Sequence, residues 1–282
     1  MSKVAVIGAG TMGNGIAHVF AQHGWDTALI DVSEHALAGG LATIKQNLER
    51  QEKKGVISHQ LSVDTLGRIR TSTSLEAAKE AELVVEAATE NPKVKFEIFQ
   101  TLHRLTPSST ILASNTSSIS ITEIAKHTDR PEKVIGMHFM NPVPLMPLVE
   151  VVKGLETSPD TTTRIVEISK ELGKTPVEVN DAPGFVSNRV LMPMINEAIL
   201  CVQEGIATAE AVDQVMTLGM KHPLGPLALA DLIGLDVCLA ILDVMVEGFA
   251  DPKYRPARLL KEMVASGRLG RKSGVGFYVY RD

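Results

Sequence analysis

The sequence predicts an α/β protein in two parts: a mainly parallel sheet with helices from residues 1–183, then an all-α domain from 184–282. Three observations carry this. Short apolar runs at 3–7, 27–30, 83–88 and 111–115 alternate with helical patterns, as buried parallel strands joined by crossovers do. The first run flows directly into Gly8-Ala9-Gly10-Thr11-Met12-Gly13 and an amphipathic helix through His23. After Asp181-Ala182-Pro183-Gly184 the strand–helix rhythm stops, and no strand is convincing until the last residues.

The glycine loop has a physical task at each position. Gly8 allows the tight turn, Gly10 lets a diphosphate approach the backbone, and Gly13 lets the helix pack closely on the strand. With Ala9, Thr11 and Met12 it opens a helix whose N-terminus offers unpaired N–H groups and a positive dipole end to phosphates. The second strand, Thr27 to Ile30, ends at Asp31, 18 residues beyond Gly13. There a carboxylate accepts hydrogen bonds from a ribose diol and repels a 2′-phosphate, which favours NAD over NADP. Together these features describe a Rossmann-type nucleotide site.

Residues 34–60 read as a helical insertion, with Arg50, Lys53 and Lys54 clustered before Gly55. Such a cluster is either a solvated helix face or a dock for a phosphorylated tail. Residues 68–72 form a third strand and 83–88 a fourth, leading to Glu90-Asn91-Pro92 and a helix through Leu105. The fifth strand, 111–115, runs into Thr116-Ser117-Ser118. Ligands of open parallel sheets bind beyond the carboxyl ends of strands, where Glu90, Asn115 and Ser117 fall. Ser117 is also a natural helix cap.

The stretch 134–152 reads as strand, loop, strand. Pro142, Pro144 and Pro147 keep the loop from being helical. His138 lies near the end of the first strand and Glu150 within the second. Side by side they would form an acid/base unit, the carboxylate holding one ring nitrogen while the other moves a proton. The alternative is a strand-end histidine and an unrelated glutamate. A helix over 160–172 and an edge strand over 175–180, which tolerates Pro176, complete the domain.

Beyond it, 185–202 is apolar on nearly every side and should be buried all round, with Pro193 inside it and Asn188 near its start. Further helices are expected at 208–218, 225–248 and 256–266, the last opened by Pro256 and closed by Gly267. A basic glycine loop, 267–274, precedes the final apolar residues.

Composition narrows the function. A net charge of −5 gives no general surface for nucleic acid. No apolar run reaches the roughly 18 residues a membrane span needs. The chain enters its first strand with no leader pattern. The two cysteines, Cys201 and Cys238, define no disulfide framework, and a reduced cytoplasmic protein is expected. No cysteine, histidine or carboxylate spacing suggests a metal.

Several stretches then align with one family: VAVIGAGTMGNGIA, ASNTSS, HFMNPVPLMPLVEVV, DAPGFVSNRVL, HPLGPLALADLIGLD and GRKSGVGFYVY. Over essentially its whole length the chain resembles the short bacterial type of L-3-hydroxyacyl-CoA dehydrogenase. The resemblance implies NAD-dependent interconversion of an (S)-3-hydroxyacyl-CoA thioester, with 3-hydroxybutyryl-CoA expected, and its 3-ketoacyl-CoA. It implies His138 as catalytic acid/base with Glu150 as partner, and Ser117 and Asn188 holding the substrate oxygen and thioester. It places cofactor contacts at Asp31, Glu90, Lys95, Ser117, Asn141 and Lys272, and CoA contacts at Asn47 and Lys54. It also implies a homodimer through 184–282, a helical part with more apolar surface than one sheet face covers. A related class of hydroxyacid dehydrogenases uses a lysine on the first helix of the second domain. No lysine stands between Gly184 and Gly205, which argues against that class. An idle NAD-binding protein on the same fold is the alternative from another class.

Overall fold

In the computed structural model, which describes residues 2–280, the chain divides into two units after Ala182. The first is organised about an eight-stranded sheet. In chain order its elements are β1 (Lys3–Ile7), α1 (Thr11–Gln22), β2 (Asp26–Ile30), α2 (Glu34–Lys53), α3 (His59–Gly67), β3 (Ile69–Ser72) and β4 (Leu83–Glu86). Then come α4 (Pro92–Leu105), β5 (Ile111–Ser114), α5 (Ile121–Ala125), β6 (Val134–Phe139), β7 (Leu148–Lys153), α6 (Pro159–Glu171) and β8 (Thr175–Asn180). The strand order is β3-β2-β1-β4-β5-β6-β7-β8, parallel from β3 through β6. Strand β7 runs antiparallel to β6, and β8 follows β7.

The central strands β4, β5 and β6 are buried at every position, which is why they read as unbroken apolar runs. Helix α1 supplies Ile16, Ala17, Val19 and Phe20 to the core shared with Val4, Val6, Leu83, Val85 and Met137. Each large apolar side chain buried this way contributes roughly 1.5–3 kcal/mol. Arg130, 4% exposed, donates to the carbonyls of His103, Thr106 and Pro107 and so closes the C-terminal end of α4.

The helical insertion differs in detail from the expectation. It consists of two helices and extends to Gly67 instead of ending near residue 60. Gly55 adopts φ 68 and stops α2, while the Ser58 hydroxyl accepts from Leu61 N–H and starts α3.

The second unit holds α7 (Ser187–Gln203), α8 (Ala209–Gln214), α9 (Pro226–Ile233), α10 (Leu235–Phe249) and α11 (Arg258–Ala265). Met192, Ile195 and Ile199 of α7 pack with Leu227 of α9, Cys238 and Leu242 of α10 and Leu260 of α11. Helix α7, expected to be buried all round, leaves Val190 67% exposed in the single chain. The helix expected over 208–218 is α8 followed by a π-helical turn, Val215–Gly219. The single helix expected over 225–248 is broken at Gly234, whose φ of 107 lets the chain turn between α9 and α10. Pro256 lies just ahead of α11 instead of in its first turn.

Two buried carboxylates fasten the tail. Asp231 accepts from Phe277 N–H, Tyr278 N–H and Tyr280 Oη, each at 3.0 Å. Asp213 accepts from Leu227 N–H and Ala228 N–H at the start of α9 and from Tyr278 Oη at 2.8 Å. A Cβ on Gly270 or Gly276 would overlap Asp231, so the glycines of the tail motif make this close approach possible.

Candidate active site

The glycine loop connects β1 to α1. A Cβ on Gly8 would strike the Ala87 carbonyl at 2.5 Å, and one on Gly13 would overlap the Gly8 carbonyl oxygen. At Gly10 a Cβ would meet no described atom within 4 Å. Gly8 and Gly13 are therefore packing glycines, while Gly10 borders open space. Gly10 is also the N-cap of α1 and provides no side-chain cap, so the N–H groups of the first turn, from Thr11 and Met12 onward, point at that space.

Asp31 closes this loop from the end of β2. Its Oδ2 accepts from Ala9 N–H at 2.8 Å and its Oδ1 from Ser33 N–H at 2.9 Å. The backbone thus orients both carboxylate oxygens, and each retains acceptor capacity. A diphosphate with an adjoining ribose fits this donor and acceptor set.

Beyond the ends of β4 and β5 lies a network that sequence reading credited only in part. Glu86, 0% exposed, accepts from Lys95 Nζ at 2.7 and 2.8 Å, from Ser114 Oγ at 2.7 Å and from Ala88 N–H at 2.8 Å. Lys95 is 3.5 Å from Glu90 as well. Glu90 accepts from Thr116 Oγ1, from Ser117 N–H at 2.7 Å and from Ser117 Oγ at 2.9 Å. Glu90, Lys95 and Ser117 are therefore brought together, with Lys95 buried between two carboxylates. The cap of the following helix is Ser120 rather than Ser117. Glu86 was missed; its signal was a carboxylate closing an otherwise apolar strand.

Asn115 accepts from Phe139 N–H at 2.9 Å and so ties the end of β5 to β6 beside His138. In the antiparallel β6–β7 pair His138 stands directly opposite Glu150. His138 Nδ1 lies 2.7 Å from Glu150 Oε2, with the two residues 8% and 2% exposed. With the carboxylate ionised, Nδ1 carries the proton and donates a hydrogen bond to Glu150.

Two family models match: 3-hydroxyacyl-CoA dehydrogenase, NAD binding domain, over residues 3–182, and 3-hydroxyacyl-CoA dehydrogenase, C-terminal domain, over 184–280. The chain belongs to the 3-hydroxyacyl-CoA dehydrogenase family. Among its relatives, a probable 3-hydroxybutyryl-CoA dehydrogenase of Bacillus subtilis is 54% identical over 100% of this chain and 98% of its own length. A 3-hydroxybutyryl-CoA dehydrogenase of Bradyrhizobium diazoefficiens is 50% identical over 100% of this chain and 96% of its own. The crystal structure of (S)-3-hydroxybutyryl-CoA dehydrogenase from Ralstonia eutropha superposes with a TM-score of 0.97 at 49% identity and covers 100% of both chains. The nucleotide loop, Asp31 and the β4–β5 network all lie within the family's NAD-binding domain.

Of the remaining expected positions, Asn141, Asn47 and Lys54 belong to the first unit and Asn188 and Lys272 to the second. Asn141, exposed, opens the loop after β6. Asn47 and Lys54 are seven residues, about two turns, apart near the end of α2, Lys54 as its exposed C-cap. Asn188, 8% exposed, lies in the first turn of α7. Lys272 pairs with Asp236 through Nζ–Oδ2 at 2.6 Å. Among the described residues no helix is long and apolar enough to cross a membrane, and no group of three or more His, Cys, Asp or Glu side chains could hold a metal ion.

Proposed function

We propose that the chain interconverts (S)-3-hydroxyacyl-CoA and 3-ketoacyl-CoA with NAD(H), and that 3-hydroxybutyryl-CoA is its substrate. The observation that carries the reading is the 2.7 Å His138–Glu150 contact, on a strand pair of the sheet that also bears the nucleotide loop. The names and full-length identity of the relatives support the same substrate.

Oxidising a secondary alcohol removes a hydride from carbon 3 and a proton from its hydroxyl. Bound nicotinamide supplies the hydride acceptor. His138 takes the hydroxyl proton, and returns it to the ketone in reverse, while Glu150 stabilises the imidazolium. Ser117 and Asn188 hydrogen-bond the substrate oxygen and thioester and steady the oxygen as its charge changes. Gly8 to Gly13, Asp31, Glu90, Lys95, Asn115, Asn141 and Lys272 hold NAD, while Asn47 and Lys54 hold the CoA moiety. The working form is a homodimer through 184–282. A cytoplasmic setting accords with Cys201 and Cys238, both free thiols. An idle NAD-binding protein would have no use for a buried imidazole–carboxylate pair.

Steady-state reduction of C4 to C16 3-ketoacyl-CoA esters with NADH and NADPH tests this. Turnover of acetoacetyl-CoA with NADH is expected to be the best of the series. Absence of turnover with every ester overturns the proposal, and equal use of NADPH removes the ribose-diol role of Asp31.

A further inference from the structure

Residues 140–147, between β6 and β7, have more backbone acceptors than donors. Pro142, Pro144 and Pro147 bring carbonyls but no N–H. Within the turn, the Leu145 and Met146 N–H groups both go to the Pro142 carbonyl at 3.0 Å. The carbonyls of Val143 and Met146 are met by one side chain, that of Lys174, whose Nζ lies 2.6 and 2.9 Å away. Lys174 reaches them from the turn between α6 and β8 and is only 9% exposed. Burial lowers its pKa, with no carboxylate offsetting the effect. The titratable neighbour that feels its charge is His18 of α1. A buried cation held by carbonyls alone is costly compared with an apolar side chain of the same length. The loop is also gripped by α1, where a Cβ on Gly15 would meet the Val143 Cβ at 2.9 Å.

We propose that Lys174 is a positioning residue for the reaction: its ammonium fixes loop 140–147, keeping His138 opposite Glu150 and Asn141 in place for the cofactor. This rests on the roles given above to His138, Glu150 and Asn141. An ammonium suits the task because it has three donors and no acceptor, and the loop offers the converse.

The test is kcat and KM for NADH, with acetoacetyl-CoA, in the full chain and in K174M, K174R, E150Q and K174M/E150Q. K174M is expected to lower kcat roughly 10- to 100-fold, the scale of a small misplacement of catalytic groups, and to raise KM for NADH. K174R keeps the donors and should recover most of the loss. In the E150Q background K174M should change kcat by no more than about twofold, because both changes act through one contact. Wild-type kinetics in K174M with only a lower Tm, losses that multiply with those of E150Q, or a K174R no better than K174M would each overturn the proposal. Should K174M not fold, K174A, which also has no side-chain donor, is measured in its place, and wild-type kinetics there overturn it equally. If E150Q itself retains full kcat, the dyad is wrong, and Lys174 is judged on KM for NADH alone.

Discussion

His138 and Glu150 hold each other in a buried strand pair, so neither should be replaceable alone. General acid/base help contributes about 10²–10⁴-fold, and H138N should lower kcat by at least that order while NADH still binds. E150Q keeps the shape but removes the charge facing Nδ1 and should cost nearly as much, with the double variant little worse than either single. Stopped-flow or steady-state kcat for all three decides, and multiplicative losses would show two independent residues. His18 makes a different prediction. It is 0% exposed on α1, and burial pushes its pKa down to about 4 from 6.5, with His23 and Lys174 adding to the effect. The Gln22 side chain opposes the shift without cancelling it. Below pH 6.5 the unfolded chain binds a proton that the folded chain refuses. Stability therefore falls as pH drops from 6.5 towards 4, by roughly 3 kcal/mol in all. Urea midpoints between pH 7.5 and 5 should show the fall, and H18L should flatten it. The sequence offered the pair because the prolines forced a strand–loop–strand reading, and the family resemblance favoured it over an unrelated glutamate. Glu86 was not legible, because nothing near it in the chain announces that Lys95 and Ser114 converge on its carboxylate.

The loop joining β1 to α1 separates two uses of glycine that a motif merges. G13A would drive a methyl into the Gly8 carbonyl, and α1 would have to lift from β1, at a cost of about 1–3 kcal/mol. G10A meets nothing in the chain and should leave stability within about 0.5 kcal/mol of the parent. Its methyl would occupy the space needed by the diphosphate, so NADH binding should weaken sharply. Thermal melts paired with NADH fluorescence titration separate the two effects; equal stability losses would contradict this division. Elements with strong apolar periodicity, such as β1, α1, β4 and α4, could be read from the chain. The breaks at Gly55 and Gly234 could not, because glycine is tolerated within helices and only tertiary packing decides whether φ turns positive. The π-helical turn after α8 likewise follows from packing rather than composition.

At the scale of the molecule, the change from an alternating to a purely helical pattern at Asp181–Gly184 marked the division that the contacts place after Ala182. The all-round burial expected of α7 did not materialise, since Val190 is 67% exposed, and after the helix Ile206, Leu218 and Met220 are between 62% and 82% exposed. A second copy would cover such a surface, and light scattering at micromolar concentration should give twice the chain mass. V190K or L218D should shift the mass towards one chain, and a wild-type monomer would remove the idea. The reversal of direction at β7 has a genetic consequence. His138 and Glu150 are joined by a hairpin instead of a crossover and stand 12 residues apart in sequence. A few dozen base pairs encode both, so one short stretch of gene carries the whole contact.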